Sequence, residues 1–210
     1  GWIPGSSYES FPADMGFVLP KKGVVILTLH FAPTAVDTEI VAGLHLFFKK
    51  EPIKRKVEII SIGSGGVGQI DPPLVVFANS VDSFYAKVKT TQDQSLLYVW
   101  PHMHLLGKSF KAFAVTPAGD TIPLVRIPQW DFSWQELYEF KKLVYIPRSS
   151  VITVKGVYDN TKDNPRNPNN PPKTVFSDEE EAMRTTDEML TLIFIYVPYL
   201  PGDENISLCN

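Results

Sequence analysis

The sequence predicts an all-β protein built as a β-sandwich, and three observations carry that expectation. Across 210 residues, 18 prolines and 13 glycines cut the chain into short runs rich in Val, Ile, Phe and Tyr, the pattern of many short strands joined by turns. Helix punctuation, a capping residue ahead of an apolar stripe of period 3.6, is sparse. An apolar fraction of 44% supplies one large core or two small ones.

The elements follow in chain order. Residues 1–22 are dense in turn formers such as Ile3-Pro4-Gly5-Ser6-Ser7 and Leu19-Pro20-Lys21-Lys22-Gly23 and read as loop. Strands are expected over 24–31, which carries His30, and over 42–48, which carries His45. Residues 57–62 alternate and run into Gly63-Ser64-Gly65-Gly66-Val67-Gly68. That run lacks the Gly-Lys-Ser/Thr and the following helix of a phosphate-binding loop, so it reads as a flexible connector. Further strands are expected near 74–78, 82–90, 95–100 and 109–115, with Thr116-Pro117-Ala118-Gly119-Asp120 as the hairpin turn into 121–125. The aromatic stretch 130–138 suits either a packing cap or a sugar-stacking surface. Strands over 143–146 and 151–158 precede an Asn/Pro-rich loop over 159–172, whose oxygens read as turn-makers before they read as calcium ligands. After the acidic run Asp178-Glu179-Glu180-Glu181 comes the most apolar strand, 190–197, and then a tail bearing the glycosylation pattern Asn205-Ile206-Ser207.

Composition excludes several classes. A net charge of -3 and no basic cluster longer than Lys54-Arg55-Lys56 argue against nucleic acid as a partner. No apolar run approaches the roughly 18–20 residues of a membrane span, and the N-terminus does not resemble a signal peptide. The start at Gly1-Trp2 raises the expectation of an upstream segment. Cys209 is the single cysteine, so no internal disulfide forms.

The chemistry centres on His102-Met103-His104, directly after the run Ser95-Leu96-Leu97-Tyr98-Val99. Side chains two apart on a strand share a face, so both imidazoles aim at one point, half of a transition-metal site. Taken alone, such a pair is more often a hydrogen-bonded part of a wall than a metal site. A third donor is scarce: Met15 and Cys209 lie in terminal loops, Met103 points away from the pair, and Met183 sits among charges. Met189 stands where the polar turn Thr185-Thr186-Asp187-Glu188 meets a buried strand, and that turn supplies acceptors able to orient an imidazole N–H. Two imidazoles and a thioether select copper over zinc. By itself Met189 reads first as core.

Pro101-His102-Met103-His104-Leu105-Leu106-Gly107-Lys108, with Thr185-Thr186-Asp187-Glu188-Met189 downstream, resembles the copper type II, ascorbate-dependent monooxygenases, the peptidylglycine α-hydroxylating and dopamine β-hydroxylating enzymes. Leu27-Thr28-Leu29-His30-Phe31 and Phe11-Pro12-Ala13-Asp14-Met15-Gly16 extend the likeness upstream, and the Trp-rich and Asn/Pro-rich segments look more like bacterial relatives. The resemblance implies two jelly-roll β-sandwiches facing each other across a cleft. It assigns residues 1–50 to the end of the first, 51–200 to the complete second and 201–210 to a tail. It implies that His102, His104 and Met189 hold the copper at which oxygen is activated for C–H hydroxylation. His30 would match one ligand of an electron-transfer copper whose other two histidines would lie upstream of Gly1.

Two departures matter. Peptide-amidating members carry Arg, Asn and Tyr where this chain has Trp100, Thr191 and Ile193, an uncharged set that does not pair with a peptide carboxylate. The family's disulfides are absent as well. The expectation is therefore a copper monooxygenase module with an unassigned small-molecule or peptide-like substrate. It would use ascorbate as reductant, sit in an exported protein, depend on an upstream electron-transfer domain and be nearly inactive by itself. A copper-binding or interaction β-sandwich that has lost catalysis is the alternative, as is a carbohydrate-binding sandwich using Trp130 and Trp134.

Overall fold

The computed structural model describes residues 11–12, 14–27, 29, 35–177 and 184–208. The chain is all-β: the described residues hold thirteen strands and one short 3-10 turn, Asp203–Asn205. The strands are β1 (Met15–Gly16), β2 (Arg55–Lys56), β3 (Glu58–Gly63), β4 (Ile70–Asp71), β5 (Val75–Val76), β6 (Val81–Lys89) and β7 (Gln94–His102). They continue as β8 (Gly107–Val115), β9 (Thr121–Ile127), β10 (Tyr138–Ile146), β11 (Val151–Asp159), β12 (Val175–Phe176) and β13 (Thr191–Pro198). An antiparallel sheet of order β10-β7-β13-β3 faces a five-stranded antiparallel sheet of order β4-β6-β11-β8-β9. Two short pairs, β1-β2 and β12-β5, complete the ladders.

Alternation explains the five-stranded sheet. Phe84 and Ala86 of β6, Phe110, Ala112 and Ala114 of β8, and Ile152, Val154 and Tyr158 of β11 all point into one core. From the facing sheet come Ile62, Leu96, Val99, Leu192, Phe194 and Tyr196. β7 and β13 do not alternate, because both faces are covered. A second cluster of Met15, Val57, Leu97, Tyr98, Leu143, Ile195, Val197 and Leu208 packs on the outer side of their sheet. That double burial is why 190–197 is so continuously apolar.

One irregularity decides where His102 points. β13 pairs Ile195 with Tyr98 and the next residue, Tyr196, with Leu96, so Leu97 is a bulge. Leu96 and Val99 both turn inward, while Leu97 and Tyr98 both turn outward. Beyond the bulge Tyr98, Trp100 and His102 share the outer face; unbroken alternation from Leu96 would have buried His102 in the sandwich.

Several expectations need correction. Residues 24–27, 29 and 42–48 form no strand. Their large side chains are exposed, Ile26 at 85% and Phe47 at 83%, and an apolar run without a ladder to join does not become a strand. The stretch after Pro198 is tied back onto the sandwich: Asp203 and Leu208 are buried, and Ser207 bridges to Lys142. Met15 is fully buried in β1 and does not sit in an open terminal loop.

The glycine-rich connector is a hydrogen-bonded turn. Gly63 N–H donates to Val67 O, Ser64 N–H donates to Leu190 O at 2.9 Å, and the Thr191 hydroxyl donates to Ser64 O at 3.0 Å. Gly63 has φ of 96°, and a Cβ there would lie 2.0 Å from Leu190 O. Gly63→Ala combines left-handed strain with a backbone collision and is expected to cost about 3 kcal/mol or more. Urea unfolding of the purified variant checks this.

Candidate metal centre

His102 ends β7 on the outer face, and His104 follows in the turn to β8, buried to 4% exposure. Met103 between them is fully buried in the core, as its position on the opposite face requires. The structure brings the two imidazoles together: their Nε2 atoms are 3.1 Å apart, and their rings meet edge to face with centroids 4.9 Å apart.

Their hydrogen bonds fix what those nitrogens are. His104 Nδ1 lies 2.9 Å from the Asp187 carbonyl oxygen, which only accepts, so Nδ1 carries the proton. His102 Nδ1 lies 2.5 Å from Gln135 Oε1. The Gln135 amide is oriented by its own Nε2–H, which donates to Phe132 O at 2.9 Å, and its oxygen therefore faces His102. The tautomer that satisfies both Nδ1 contacts leaves the two Nε2 atoms facing each other as acceptors. Two acceptors at 3.1 Å are reconciled by a cation between them, a proton or a metal ion.

Supports converge on His104. The carboxyl group of Glu188, which is 1% exposed, accepts from the backbone N–H of His104 at 3.1 Å and of Leu106 at 2.7 Å. Burial pushes the Glu188 carboxyl up to about 8, against the pull of the Leu106, His104 and Met189 N–H groups. Tyr158, itself fully buried, donates its hydroxyl to the Met189 carbonyl at 2.6 Å. Burial, and then the neighbouring Glu188 charge, raise that phenol well above its usual range. Phe132 meets the His104 ring edge-on, with centroids 5.9 Å apart.

Among the described residues no third His, Cys, Asp or Glu joins the pair in a cluster. The ladder of β7 with β13 ends at the pair His102–Thr191, and Met189 lies two residues before that end, outside the strand. It is half-buried. His30 lies outside the described residues, and His45 is exposed. The same register sets Trp100 beside Ile193, and Ile193 beside Ser61, making an uncharged surface next to His102.

No family model and no curated protein matches this chain.

Sequence reasoning reached the histidine pair and the acceptor role of the 185–188 turn. It missed Gln135, Phe132 and the bridging role of Glu188. Gln135 is 33 positions from His102, in a stretch without periodicity, and its only cue was a polar residue among aromatics. In that stretch Trp130 is buried and packs in the core, whereas Trp134 is 64% exposed.

Proposed function

We propose that this chain is the oxygen-activating module of a copper monooxygenase, with copper held by His102, His104 and Met189. The observation that carries the reading is the pair of Nε2 atoms facing each other at 3.1 Å, with Nδ1 of each ring against a separate carbonyl oxygen. A thioether at Met189, two residues before the Thr191 that pairs with His102, would favour copper as the ion. The motif resemblance supplies the reaction class, and bound copper would supply oxygen activation and electron transfer. The chain's own contribution is to fix two ligands on a rigid strand end and to keep their Nδ1 protons directed away from the ion. The uncharged set Trp100, Thr191 and Ile193 beside His102 suits a neutral, apolar substrate. Ascorbate as reductant, an upstream electron-transfer domain, a jelly-roll wiring of the two sheets and an exported location belong to the same proposal.

Among the described residues no helix is long and apolar enough to cross a membrane. A β-sandwich that keeps copper without turnover is the second reading, favoured by the absence of any charged group at positions 100, 191 and 193.

Anaerobic titration with Cu(I), followed by X-ray absorption, tests the site. One copper per chain is expected, with nitrogen scatterers and a sulfur scatterer that disappears in Met189→Leu. His102→Ala should weaken binding by more than about a hundredfold, since even the groups that orient such ligands contribute 10–100-fold. A Cu(I) spectrum without sulfur, or one unchanged by Met189→Leu, removes the assignment. Failure to bind copper at all leaves a shared proton as the cation between the rings.

A further inference from the structure

We propose that Gln135 is the positioning residue that fixes the tautomer and the ring plane of His102. The inference rests on reading the histidine pair as a metal site and adds the group that prepares it. His104 takes its orientation from a backbone carbonyl, that of Asp187, which no side-chain substitution removes. His102 takes its orientation from a side chain delivered by another segment, Gln135 Oε1 at 2.5 Å. Loss of this acceptor removes what holds the proton on Nδ1, and so favours rotation about the Cβ–Cγ bond or transfer of the proton to Nε2. Either change withdraws the lone pair from the point at which His104 Nε2 aims.

The turn that carries Gln135 is built to hold it still. Asp131 Oδ1 accepts from Ser133 N–H at 2.8 Å, and Asp131 O accepts from Trp134 N–H at 3.0 Å. The Gln135 amide donates back to Phe132 O. Arg166, from the Asn/Pro-rich loop, grips the same Asp131 carboxylate from outside. The turn thus touches both imidazoles, through Gln135 on His102 and through the Phe132 ring on His104. Glutamine also suits the task chemically. Its oxygen demands a proton on Nδ1, and its NH2 group is already spent inside the turn, so only one tautomer of His102 satisfies the arrangement.

The test compares wild type, Gln135→Leu and Gln135→Glu, with a matched thermal midpoint confirming the fold of each. In metal-free protein labelled with ¹⁵N, at about pH 8.5, above the ordinary imidazole range, the His102 ring is read directly. Wild type and Gln135→Glu should show the proton on Nδ1, and Gln135→Leu a mixture of tautomers. Cu(I) affinity by competition with a chromophoric chelator should fall 10–100-fold in Gln135→Leu and stay within a few-fold in Gln135→Glu. A Gln135→Leu protein with the wild-type tautomer and wild-type copper affinity overturns the inference. If wild type binds no copper, the metal reading falls by itself, and the nitrogen spectra still decide whether Gln135 sets the ring.

Discussion

Arg55→Ala is expected to destabilise the protein by about 3–5 kcal/mol, because it strands a buried carboxylate. Arg55 sits on β2, and its guanidinium meets both oxygens of Asp203, at 2.7 and 2.6 Å, while donating to Pro198 O at 2.7 Å. The Ser95 hydroxyl and Leu200 N–H also donate to Asp203. Both side chains are below 10% exposure. The pair joins β2 to the 3-10 turn that follows β13. Set against a total stability of roughly 5–15 kcal/mol, the loss is large, and at this chain length it lowers the melting midpoint by roughly 10 °C.

The pair's identity is separable from its charge. Arg55→Met with Asp203→Leu removes both charges together, so the double variant should be more stable than either single one, giving a clear coupling energy. Acidity supplies a second check. Burial opposes ionisation of Asp203, but the hydrogen bonds from Arg55, Ser95 and Leu200 N–H outweigh it and hold the carboxyl below its usual range. A depressed carboxyl contributes stability that is complete above its unfolded value and is lost as pH falls through the folded one. In Arg55→Ala, burial is opposed only by Ser95 and Leu200 N–H, so Asp203 takes up its proton at higher pH and escapes part of the penalty. The stability gap between wild type and Arg55→Ala should therefore narrow between pH 7 and about pH 4. Equal urea midpoints at neutral pH, or a gap that widens on acidification, would contradict this account.

The sheet strands were legible because most of them obey a simple rule. β6, β8 and β11 alternate, and β13 is apolar throughout because it is covered on both sides. Residues 24–31 and 42–48 satisfy the same compositional rule, yet the described ones form no strand, since strand formation needs a partner that composition does not reveal. The Leu97 bulge was equally invisible: nothing in Ser95-Leu96-Leu97-Tyr98-Val99 says which residue is the extra one, although it settles the face on which His102 emerges. Within the site, contacts near in sequence could be read. His102 and His104 are two residues apart, and the acceptors ahead of Met189 form a single turn. Contacts made across the fold, from Gln135 to His102 and from Glu188 to Leu106, depend on loop paths that no periodicity encodes.

Glu188 carries the second large expected effect, because its carboxyl group holds the main chain of the His104 turn. Its two oxygens accept from His104 N–H and Leu106 N–H, in a place where Leu106 and Leu190 are essentially inaccessible to water. Glu188→Ala orphans both donors. Each buried N–H left without an acceptor costs about 1–3 kcal/mol, so a loss of roughly 2–6 kcal/mol is expected. Glu188→Gln is nearly the same size, yet it offers only one accepting oxygen and turns an NH2 group toward the other backbone donor. It should fall between wild type and Glu188→Ala, which a purely steric role for residue 188 would not produce. Hydrogen exchange localises the damage: the His104 and Leu106 amides should lose protection in both variants, more so in Glu188→Ala, while the Ile152 and Val154 amides in the middle of β11 keep theirs under native conditions. Copper affinity should fall at least tenfold in Glu188→Ala, because the His104 ring is aimed from a backbone that this carboxyl group fixes. If Glu188→Gln matches wild type in stability and in the protection of those two amides, the His104 turn is held by something other than Glu188.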